Sequence, residues 1–340
     1  MKKYLLPEGG SFYKANLHMH TNISDGTMSP EEVKTLYKEN GYSVVAYTDH
    51  NILVHHPELD DENFLALSGY EFNVNEVTPN KTWTRTCHLC FISPDRSTPY
   101  VCFNSERKLC RGSIPYLEQM DYDKSKPDFD LIYGPRQINA AIKEAKAHGY
   151  YVTYNHPYWS QESYNDYTSF EGMDAMEIYN HSSAVLGYDE YNTHAYDDML
   201  RVGNRIYAVA ADDNHNAYEN YTRLSDSLGG ITMIKAEKLE YSCIFEAMKK
   251  GHTYATTGPE IKALWYEDGK IHIECSEADK ISLNTGVRYA KAKYAETDAP
   301  LTSAEFEIHP ESVYVRLTVT DASGKCAYTN AYFIDELIAE

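Results

Sequence analysis

The sequence has few basic residues and no long apolar run, and both shortages exclude classes of function. Its 340 residues include 31 lysines and arginines against 51 acidic residues, so the formal net charge is −20. A surface this acidic repels polyanions, which argues against binding to long nucleic acids or to anionic membranes. No window reaches the roughly 18 apolar residues of a membrane-spanning helix, and the first residues lack the apolar stretch of a signal peptide.

Cysteines are also few, and their number is odd. Seven cysteines in a chain of this length do not give the paired pattern of a disulfide framework, so we expect a reducing compartment, the cytoplasm. What the sequence does contain is typical of a globular protein, with 42% hydrophobic and 13% aromatic residues. Its length predicts two domains, or one large barrel with an appendage.

The first three quarters of the chain alternate short apolar runs with segments of helical period. Strands that alternate with helices are typical of a parallel sheet, and seven or eight such units favour a closed barrel. Residues 93–134 have no clear period, and we interpret them as an insertion that could act as a lid. The predicted strands are 15–20, 43–49, 64–71, 86–92, 150–156, 175–179, 205–212 and 230–234. The predicted helices are 29–41, 137–148, 188–202 and 239–250.

The pattern changes after Thr257-Gly258-Pro259. Short alternating runs separated by turn signals follow, and no helical period appears among them. Such a series predicts an all-β, sandwich-like domain. We therefore predict two domains, the first spanning residues 1–258 and the second residues 259–340.

Histidines and carboxylates recur where the predicted strands end. His18 and His20 lie two residues apart, so in an extended segment both rings point to the same side and can reach one metal ion. In a parallel α/β barrel the carboxyl ends of the strands assemble the active site, which predicts that the other members converge on this pair. A set of this composition suits Zn, Mn or Fe, whereas Ca and Mg prefer oxygen ligands. The other members are His50, Glu71, His88, His156, Asp213 and His215.

The order of these motifs resembles that of the polymerase-and-histidinol-phosphatase (PHP) family of metal-dependent phosphoesterases. The matching stretches are Asn16-Leu17-His18-Met19-His20-Thr21, Ser24-Asp25-Gly26, Tyr47-Thr48-Asp49-His50, Gly69-Tyr70-Glu71, His88, Asn155-His156-Pro157 and Asp213-Asn214-His215. The tail is similar to that of a PHP branch that includes a carbaryl-hydrolase-like group. Its matching stretches are Gly251-His252-Thr253-Tyr254-Ala255-Thr256-Thr257-Gly258-Pro259 and Cys326-Ala327-Tyr328-Thr329-Asn330.

The resemblance implies a distorted (β/α)7 TIM-like barrel, followed by the small C-terminal β domain, with two or three clustered divalent ions. It implies His18, His20, Glu71 and Asp213 for the first ion, Glu71, His88 and His156 for the second, and Asp25, His50 and His215 for the third. Asp25 stands where some members of the family have histidine, and an oxygen ligand changes both metal preference and affinity. The predicted catalytic residues among them are Glu71, Asp213 and His215.

By the same resemblance the chain is a phosphomonoesterase that acts on a nucleotide or another small phosphorylated metabolite. The cations would activate a water and neutralise the phosphoryl oxygens, which lets a chain this acidic accept a phosphate. Asp49 and Asp212 are interpreted as partners that orient the ligand imidazoles. The candidates for substrate contact are Arg107, Arg111, Arg136 and Tyr158, and Trp159 could extend Tyr158 into an aromatic wall.

Two other functions stay open. The same centre could attack a carbonyl carbon, which would make the chain a carboxylester or carbamate hydrolase. A pocket lined by arginine favours a phosphate, whereas one lined by tyrosine and tryptophan favours a neutral ester. The second alternative is a binding or scaffold protein with a degenerate metal site, and the complete ligand set argues against it.

Overall fold

A computed structural model describes residues 2–81, 84–297 and 299–338. The strands are β1 (Lys3–Tyr4), β2 (Ser11–Asn16), β3 (Val44–Tyr47), β4 (Leu65–Asn75), β5 (Thr86–Ile92), β6 (Tyr151–Tyr154), β7 (Ala175–Asn180), β8 (Tyr207–Ala211), β9 (Ile231–Ala236), β10 (Thr253–Thr256), β11 (Ile261–Glu267), β12 (Lys270–Ala278), β13 (Lys280–Thr285), β14 (Ala290–Tyr294), β15 (Leu301–Glu307), β16 (Tyr314–Thr320), β17 (Cys326–Thr329) and β18 (Tyr332–Phe333). The helices are α1 (Pro30–Glu39), α2 (Ile114–Leu117), α3 (Pro135–Ala147), α4 (Tyr164–Tyr167), α5 (His181–Val185), α6 (Thr193–Arg201), α7 (Tyr241–Lys249) and α8 (Ile334–Leu337).

One large sheet carries the strands of the N-terminal region in chain order. From β9 it runs through β2, β3, β4, β5, β6 and β7 to β8. The prediction of a parallel sheet is only partly right, because β5 runs antiparallel to both of its neighbours and β9 runs antiparallel to β2. Only ten residues, 76–85, join β4 to β5, and a parallel pair needs a crossover of about a dozen residues or more.

The chain segments that follow β2 and β8 meet at the carboxyl ends of these two strands. Met19, just after β2, forms an isolated parallel bridge with Asn214, just after β8. Beside this bridge the N–H of Asp213 donates to the carbonyl of His18 at 2.9 Å. The contact brings the first and last groups of predicted metal ligands to the same place.

Farther from this bridge, side chains join β8 to its neighbours. The Thr232 hydroxyl of β9 donates to the carbonyl of Ala210 at 2.9 Å and accepts from the N–H of Ala210 at 3.1 Å. Asn330, which follows β17, accepts from the N–H of Ala208 and donates to the carbonyl of Gly251. A regular (β/α)7 TIM-like barrel is therefore not confirmed. In the described residues, β8 is joined to β2 by one isolated bridge and to its other neighbours by side-chain hydrogen bonds.

Helix boundaries agree with the prediction where the capping residues lie next to the helix in the sequence. The backbone N–H of Ser29 donates to the Glu32 carboxylate at 2.7 Å, and the Ser29 hydroxyl accepts from the Glu32 N–H, so α1 begins at Pro30. The predicted helix at 188–202 is wrong in extent, because α6 begins only at Thr193. A separate short helix, α5, precedes it and is capped by the side chain of Asn180.

The C-terminal strands, joined by β1 from the N-terminal end of the chain, form two layers. The strands β1, β11, β12 and β15 make a four-stranded sheet, and the β14, β13, β16 and β17 end of the large sheet faces it across a shared apolar core. This core includes Ile273 from one layer and Leu317 from the other. The large sheet continues across the predicted boundary, because β10 pairs with β17. The domain limits at 258 and 259 stay a prediction.

The predicted insertion at 93–134 is mostly irregular and packs on β4. The Tyr70 hydroxyl donates to the carbonyl of Val101 at 3.0 Å, and the N–H of Phe129 donates to the carbonyl of Phe103 at 2.7 Å. Its role as a lid stays a prediction. Within the described residues, no helix combines the length and the apolar character that crossing a bilayer requires.

Candidate metal centre

The strand ends and two neighbouring strands bring the nine predicted metal ligands to one place. His18 and His20 extend β2, His156 follows β6, and Asp213 follows β8. Glu71 and His88 lie inside β4 and β5 and not at strand ends, since β4 continues to Asn75. The antiparallel register pairs Asn73 with His88, so the diagonal neighbour Glu71 presents its carboxylate to the same face as the His88 ring.

Glu71 lies at the middle of the cluster and is 1% exposed. Each of its carboxylate oxygens faces a different group of histidines. For Oε1 the distances are 2.8 Å to His88 Nδ1, 3.2 Å to His18 Nε2 and 3.3 Å to His156 Nε2, and for Oε2 they are 3.0 Å to His50 Nδ1 and 3.5 Å to His20 Nε2. A carboxylate placed this way can bridge two cations.

Asp213 forms a second focus with the first two histidines. Its Oδ1 lies 3.0 Å from His20 Nε2 and 3.2 Å from His18 Nε2, and the two Nε2 atoms lie 3.2 Å apart. A tetrahedral ion with bonds of about 2.0–2.1 Å separates its ligand atoms by about 3.3 Å. The three atoms therefore have the mutual spacing of ligands around one ion.

Asp25 forms a third focus at the rim. Its carboxylate lies 3.5 Å from His215 Nε2, 3.6 Å from His50 Nε2 and 3.8 Å from His20 Nδ1, and its side chain is 45% exposed. His20 thus directs one ring nitrogen to Asp213 and the other towards Asp25. The groups whose ligand atoms lie close enough to hold an ion are His20–Asp25–His50–His215, His18–His20–Asp213, Glu71–His88–His156 and His18–His156–Glu177.

Hydrogen bonds alone do not account for this arrangement. Besides three ring nitrogens, Glu71 Oε1 faces the amide of Asn155 at 3.0 Å, although one carboxylate oxygen offers about two lone-pair sites. Imidazole and carboxylate together are the ligands that Zn, Mn and Fe accept. Cations placed between these groups would satisfy them, so the side chains fit metal ions.

The electrostatics favour the ligand forms of the carboxylates and of His20. Burial, together with the neighbouring His215 and His50, lowers the pKa of His20 to about 4, which keeps this ring neutral. Burial opposes charge on Glu71, but the surrounding histidines outweigh it and hold the pKa of this carboxyl well below its ordinary value. The pKa of Asp213 is lowered against burial in the same way, chiefly by His18. Neutral imidazole and ionised carboxylate are the forms that bind metals. At His18, His50 and His156 burial opposes the charged ring, but the neighbouring carboxylates outweigh it and raise the pKa, to about 9 for the latter two, so an ion has to displace a proton from these rings.

Two of the ligand candidates have backbone conformations that side-chain-bearing residues seldom adopt. His156 has φ of 24° and Asp213 has φ of 52°. Hydrogen bonds hold both in place, from the Ser160 N–H to the carbonyl of His156 and from the Asp213 N–H to the carbonyl of His18. Such strain persists where the surroundings impose it, and it concentrates at functional sites.

Glu177 is a residue of the site that the sequence reasoning missed. It is fully buried in β7, its Oε1 lies 2.7 Å from His18 Nδ1, and its Oε2 accepts the N–H of His156 at 3.0 Å. A carboxylate on Nδ1 directs the other ring nitrogen of His18 to the centre. The available signal was a glutamate in the middle of residues 175–179, which are otherwise apolar or aromatic.

Asp49 and Asp212 do not have the predicted role of orienting imidazoles. The carboxylate of Asp49 accepts the N–H and hydroxyl groups of Thr21 and Ser24, so it holds the loop that follows the first histidine pair. The carboxylate of Asp212 accepts the Tyr37 hydroxyl and three backbone N–H groups. Both aspartates shape the backbone around the ligands.

The four predicted substrate contacts lie in different places. Arg107 lines a hollow of about 460 Å³ that also includes His50 and His88. Arg111 is exposed at the start of a short 3-10 turn. Arg136 lines a separate hollow formed by residues 130–137. Tyr158 is 54% exposed and lines another hollow, of about 440 Å³, next to the His156 segment.

Trp159 lies against two of the ligand candidates. Its ring centroid is 4.9 Å from that of His156 and 5.4 Å from that of His88, both in edge-to-face arrangement. The backbone N–H of Trp159 donates to the carboxylate of Glu190 at 2.6 Å. The indole therefore forms one side of the cluster.

No family model matches the sequence, and no curated protein matches it. A two-domain protein containing a predicted PHP-like metal-dependent phosphoesterase, from Bacteroides vulgatus ATCC 8482, is similar in structure at 14% identity, over 97% of this chain and 98% of that one, with a TM-score of 0.43. A protein described as a metal-dependent phosphoesterase, from Bifidobacterium adolescentis ATCC 15703, matches at 16% identity over 63% and 91%, with a TM-score of 0.38. An amidohydrolase from Chromobacterium violaceum, with bound sulfate and no metal, matches at 15% identity over 59% and 87%, with a TM-score of 0.35. Because these TM-scores are low, the similarities do not indicate the reaction, and only the side chains of the site do.

Proposed function

We propose that the chain is a metal-dependent phosphoesterase that uses two or three divalent ions, Zn, Mn or Fe, to cleave a phosphomonoester of a nucleotide or another small metabolite. The observation that carries the proposal is the buried carboxylate of Glu71, with ring nitrogens of five histidines within 3.5 Å. Ions bound there supply an activated water and positive charge for the phosphoryl oxygens.

The residues of the chain prepare the ligands for this task. The His215 Nδ1–H donates to the carbonyl of Asp213 at 2.9 Å, which leaves Nε2 as the nitrogen that faces the rim group. Glu177 fixes His18 in the same way, and the amide of Asn155 donates to Glu71. Because each of these rings and carboxylates is held by a second group, little reorganisation is needed when charge develops on the substrate.

A phosphoester is favoured over a neutral ester by the basic hollow beside His50 and His88. Arg107 and Lys108 line it together with one acidic residue, Glu106, in a chain whose net charge is −20. The Arg107 guanidinium donates from Nη1 to Asn51 Oδ1 and, at 3.0 Å, to the carbonyl and side-chain oxygens of Asn73. Its Nε and Nη2 are buried without a partner, and no carboxylate pairs with it in the described ranges. An unpaired guanidinium is a suitable partner for an anionic substrate group.

The test is an assay of the purified full-length protein on p-nitrophenyl phosphate and on p-nitrophenyl acetate, with its metal content measured, with added Mn and with a chelator. The proposal expects phosphate turnover that the chelator removes and His18→Ala abolishes. Arg107→Ala should reduce kcat/KM about tenfold, whereas Arg136→Ala, the matched surface arginine, should change it less than twofold. Turnover of the acetate alone would overturn the proposal in favour of an ester hydrolase.

A further inference from the structure

We infer that Trp159 is a substrate-contacting residue of this centre, positioned by Glu190, and that it selects phosphoesters whose leaving group is an aromatic ring. The inference rests on the proposed function and names the substrate class of the same site. It goes beyond the metal ligands, because Trp159 and Glu190 bind no ion in any of the candidate groups.

The contacts of the indole place it beside the candidate ion sites. Its ring meets the rings of His88 and His156 edge-on at 5.4 and 4.9 Å, so it stands beside one of the ligand groups around Glu71. The side chain is only partly buried, and its indole N–H makes no hydrogen bond within the part of the chain that the structure describes. A ring with an open position and a free donor, beside the reacting centre, is available to a ligand.

Glu190 holds the backbone segment that carries this ring. It is 1% exposed, one carboxylate oxygen accepts the Trp159 N–H at 2.6 Å, and the other accepts the side-chain amide of Asn192. No lysine, arginine or histidine pairs with Glu190 among the described residues. Because burying a carboxylate is costly unless hydrogen bonds satisfy it, these two donors tie the carboxylate to the Trp159 segment.

The surroundings of Trp159 also suit an aromatic group. The neighbouring hollow of about 440 Å³ begins at Pro157, directly after His156, and includes the rings of Tyr158, Tyr167 and Tyr191. Aromatic rings pack edge-to-face or offset on one another, and these contacts stabilise beyond the area that they bury. A small aliphatic leaving group would forgo these contacts.

The first experiment compares kcat/KM for phenyl phosphate and methyl phosphate in the metal-loaded wild type, Trp159→Leu and Trp159→Phe. We expect Trp159→Leu to lower the value for phenyl phosphate about 3- to 10-fold, mainly through KM, and to change that for methyl phosphate less than 2-fold. Trp159→Phe should lie between. Equal losses on both substrates, or no loss, would overturn the inference, whereas a wild type that hydrolyses neither would overturn the proposed function as well.

The second experiment tests the position of the ring without using activity. Cu²⁺ bound to His88 and His156 should quench the fluorescence of Trp159 because the rings lie about 5 Å apart. Trp159→Phe should remove this quenching, while the matched control Trp265→Phe, in the C-terminal strands, should retain it. Quenching that persists in Trp159→Phe would overturn the placement.

The role of Glu190 has its own readout. Glu190→Ala should reproduce the loss of preference for phenyl phosphate seen in Trp159→Leu, while the metal content stays that of the wild type. Glu190→Gln keeps an oxygen that accepts the Trp159 N–H and should restore most of the preference. A variant that is less stable but has an unchanged phenyl-to-methyl ratio would show that Glu190 does not position the indole.

Discussion

Two buried polar clusters in this molecule are balanced in opposite ways. Where α6 meets β16, the Arg316 guanidinium donates from Nε and Nη2 to the two carboxylate oxygens of Asp197 at 2.8 and 2.7 Å, and the Tyr314 hydroxyl donates at 2.9 Å. One positive charge meets one negative charge, and each strong donor has an acceptor. Around Glu71, by contrast, five imidazoles crowd one carboxylate, and ring nitrogens lie 3.2 Å from one another.

Whether the charges and hydrogen-bonding groups of a buried cluster match one another distinguishes a structural cluster from a ligand site. A buried ion pair with matched geometry needs nothing from outside, and removing one partner leaves an uncompensated charge. A cluster with more ring nitrogens than its carboxylate oxygens can accommodate is complete only when cations lie between them. Burial of polar groups therefore indicates a structural ion pair at Asp197 and Arg316, and an ion site around Glu71.

The largest effect should come from Glu71→Gln, which removes the charge at the middle of the centre and keeps its volume. We expect loss of the bound metal and a fall of at least about a thousandfold in kcat/KM, equivalent to about 4 kcal/mol. Metal analysis and the phosphate assay measure both. Glu162→Gln, a buried carboxyl without a histidine contact, serves as the matched control and should retain its metal. A metal-loaded Glu71→Gln protein would contradict the bridging role.

Arg316→Ala probes the balanced cluster. It leaves Asp197 buried without its partner, and we expect the free energy of unfolding to fall by about 3 kcal/mol, measured by urea denaturation. The metal content per folded molecule should not change. A separate double variant, Asp197→Leu with Arg316→Met, should be more stable than Arg316→Ala. In the double variant the ion pair is replaced by two apolar side chains, so no buried charge is left without a partner. A loss of metal in Arg316→Ala would show that the two clusters are not independent.

Metal binding should stabilise the protein through the histidine cluster alone. At a free metal concentration one hundred times Kd, an ion that binds only the folded chain adds about 2.7 kcal/mol to the free energy of unfolding. We expect this increase in protein first stripped with a chelator and then supplied with Mn or Zn. The increase should disappear in His18→Ala and persist in Arg316→Ala. An equal increase in all three proteins would place the ion elsewhere.

The sequence was sufficient to predict which histidines and carboxylates lie together, because most of them are tied to local signals; their binding of metal stays a prediction. His18, His20 and His156 lie at the ends of apolar runs, where alternation and strand direction limit where the side chains can point. Glu177 escaped because a single glutamate inside a buried strand has no periodic signal, and only the fold shows that it meets His18. Similarly, nothing local distinguishes Arg107, beside the centre, from Arg136, which is remote from it.

The relative direction of neighbouring strands was the other feature that the sequence pattern did not predict. The runs at 64–71 and 86–92 were recognisable as strands, but their relative direction depends on the connection between them. Since residues 76–85 are too short for a crossover helix, β5 returns antiparallel to β4, and this places His88 diagonally across from Glu71. Composition likewise favoured a helix over 188–202, whereas the chain turns at Gly187, with φ of 98°, and α6 starts only at Thr193.

A third arrangement extends the comparison, because the buried carboxyl of Glu162 has hydroxyl donors and forms no ion pair among the residues that the structure describes. The Tyr154 and Tyr133 hydroxyls donate to it at 2.5 and 2.9 Å, and burial raises its pKa to about 8. The unfolded chain releases this proton near pH 4.3, so between about pH 4.3 and 8 the folded state holds more protons and stability falls as the pH rises. From pH 5 to pH 7 the wild type should lose about 2 kcal/mol relative to Glu162→Gln, in which the group cannot titrate, while contributions common to both proteins cancel. Urea denaturation of both proteins at the two pH values measures the difference, and a difference that does not change with pH would mean that the folded protein carries Glu162 ionised, as it does Glu71.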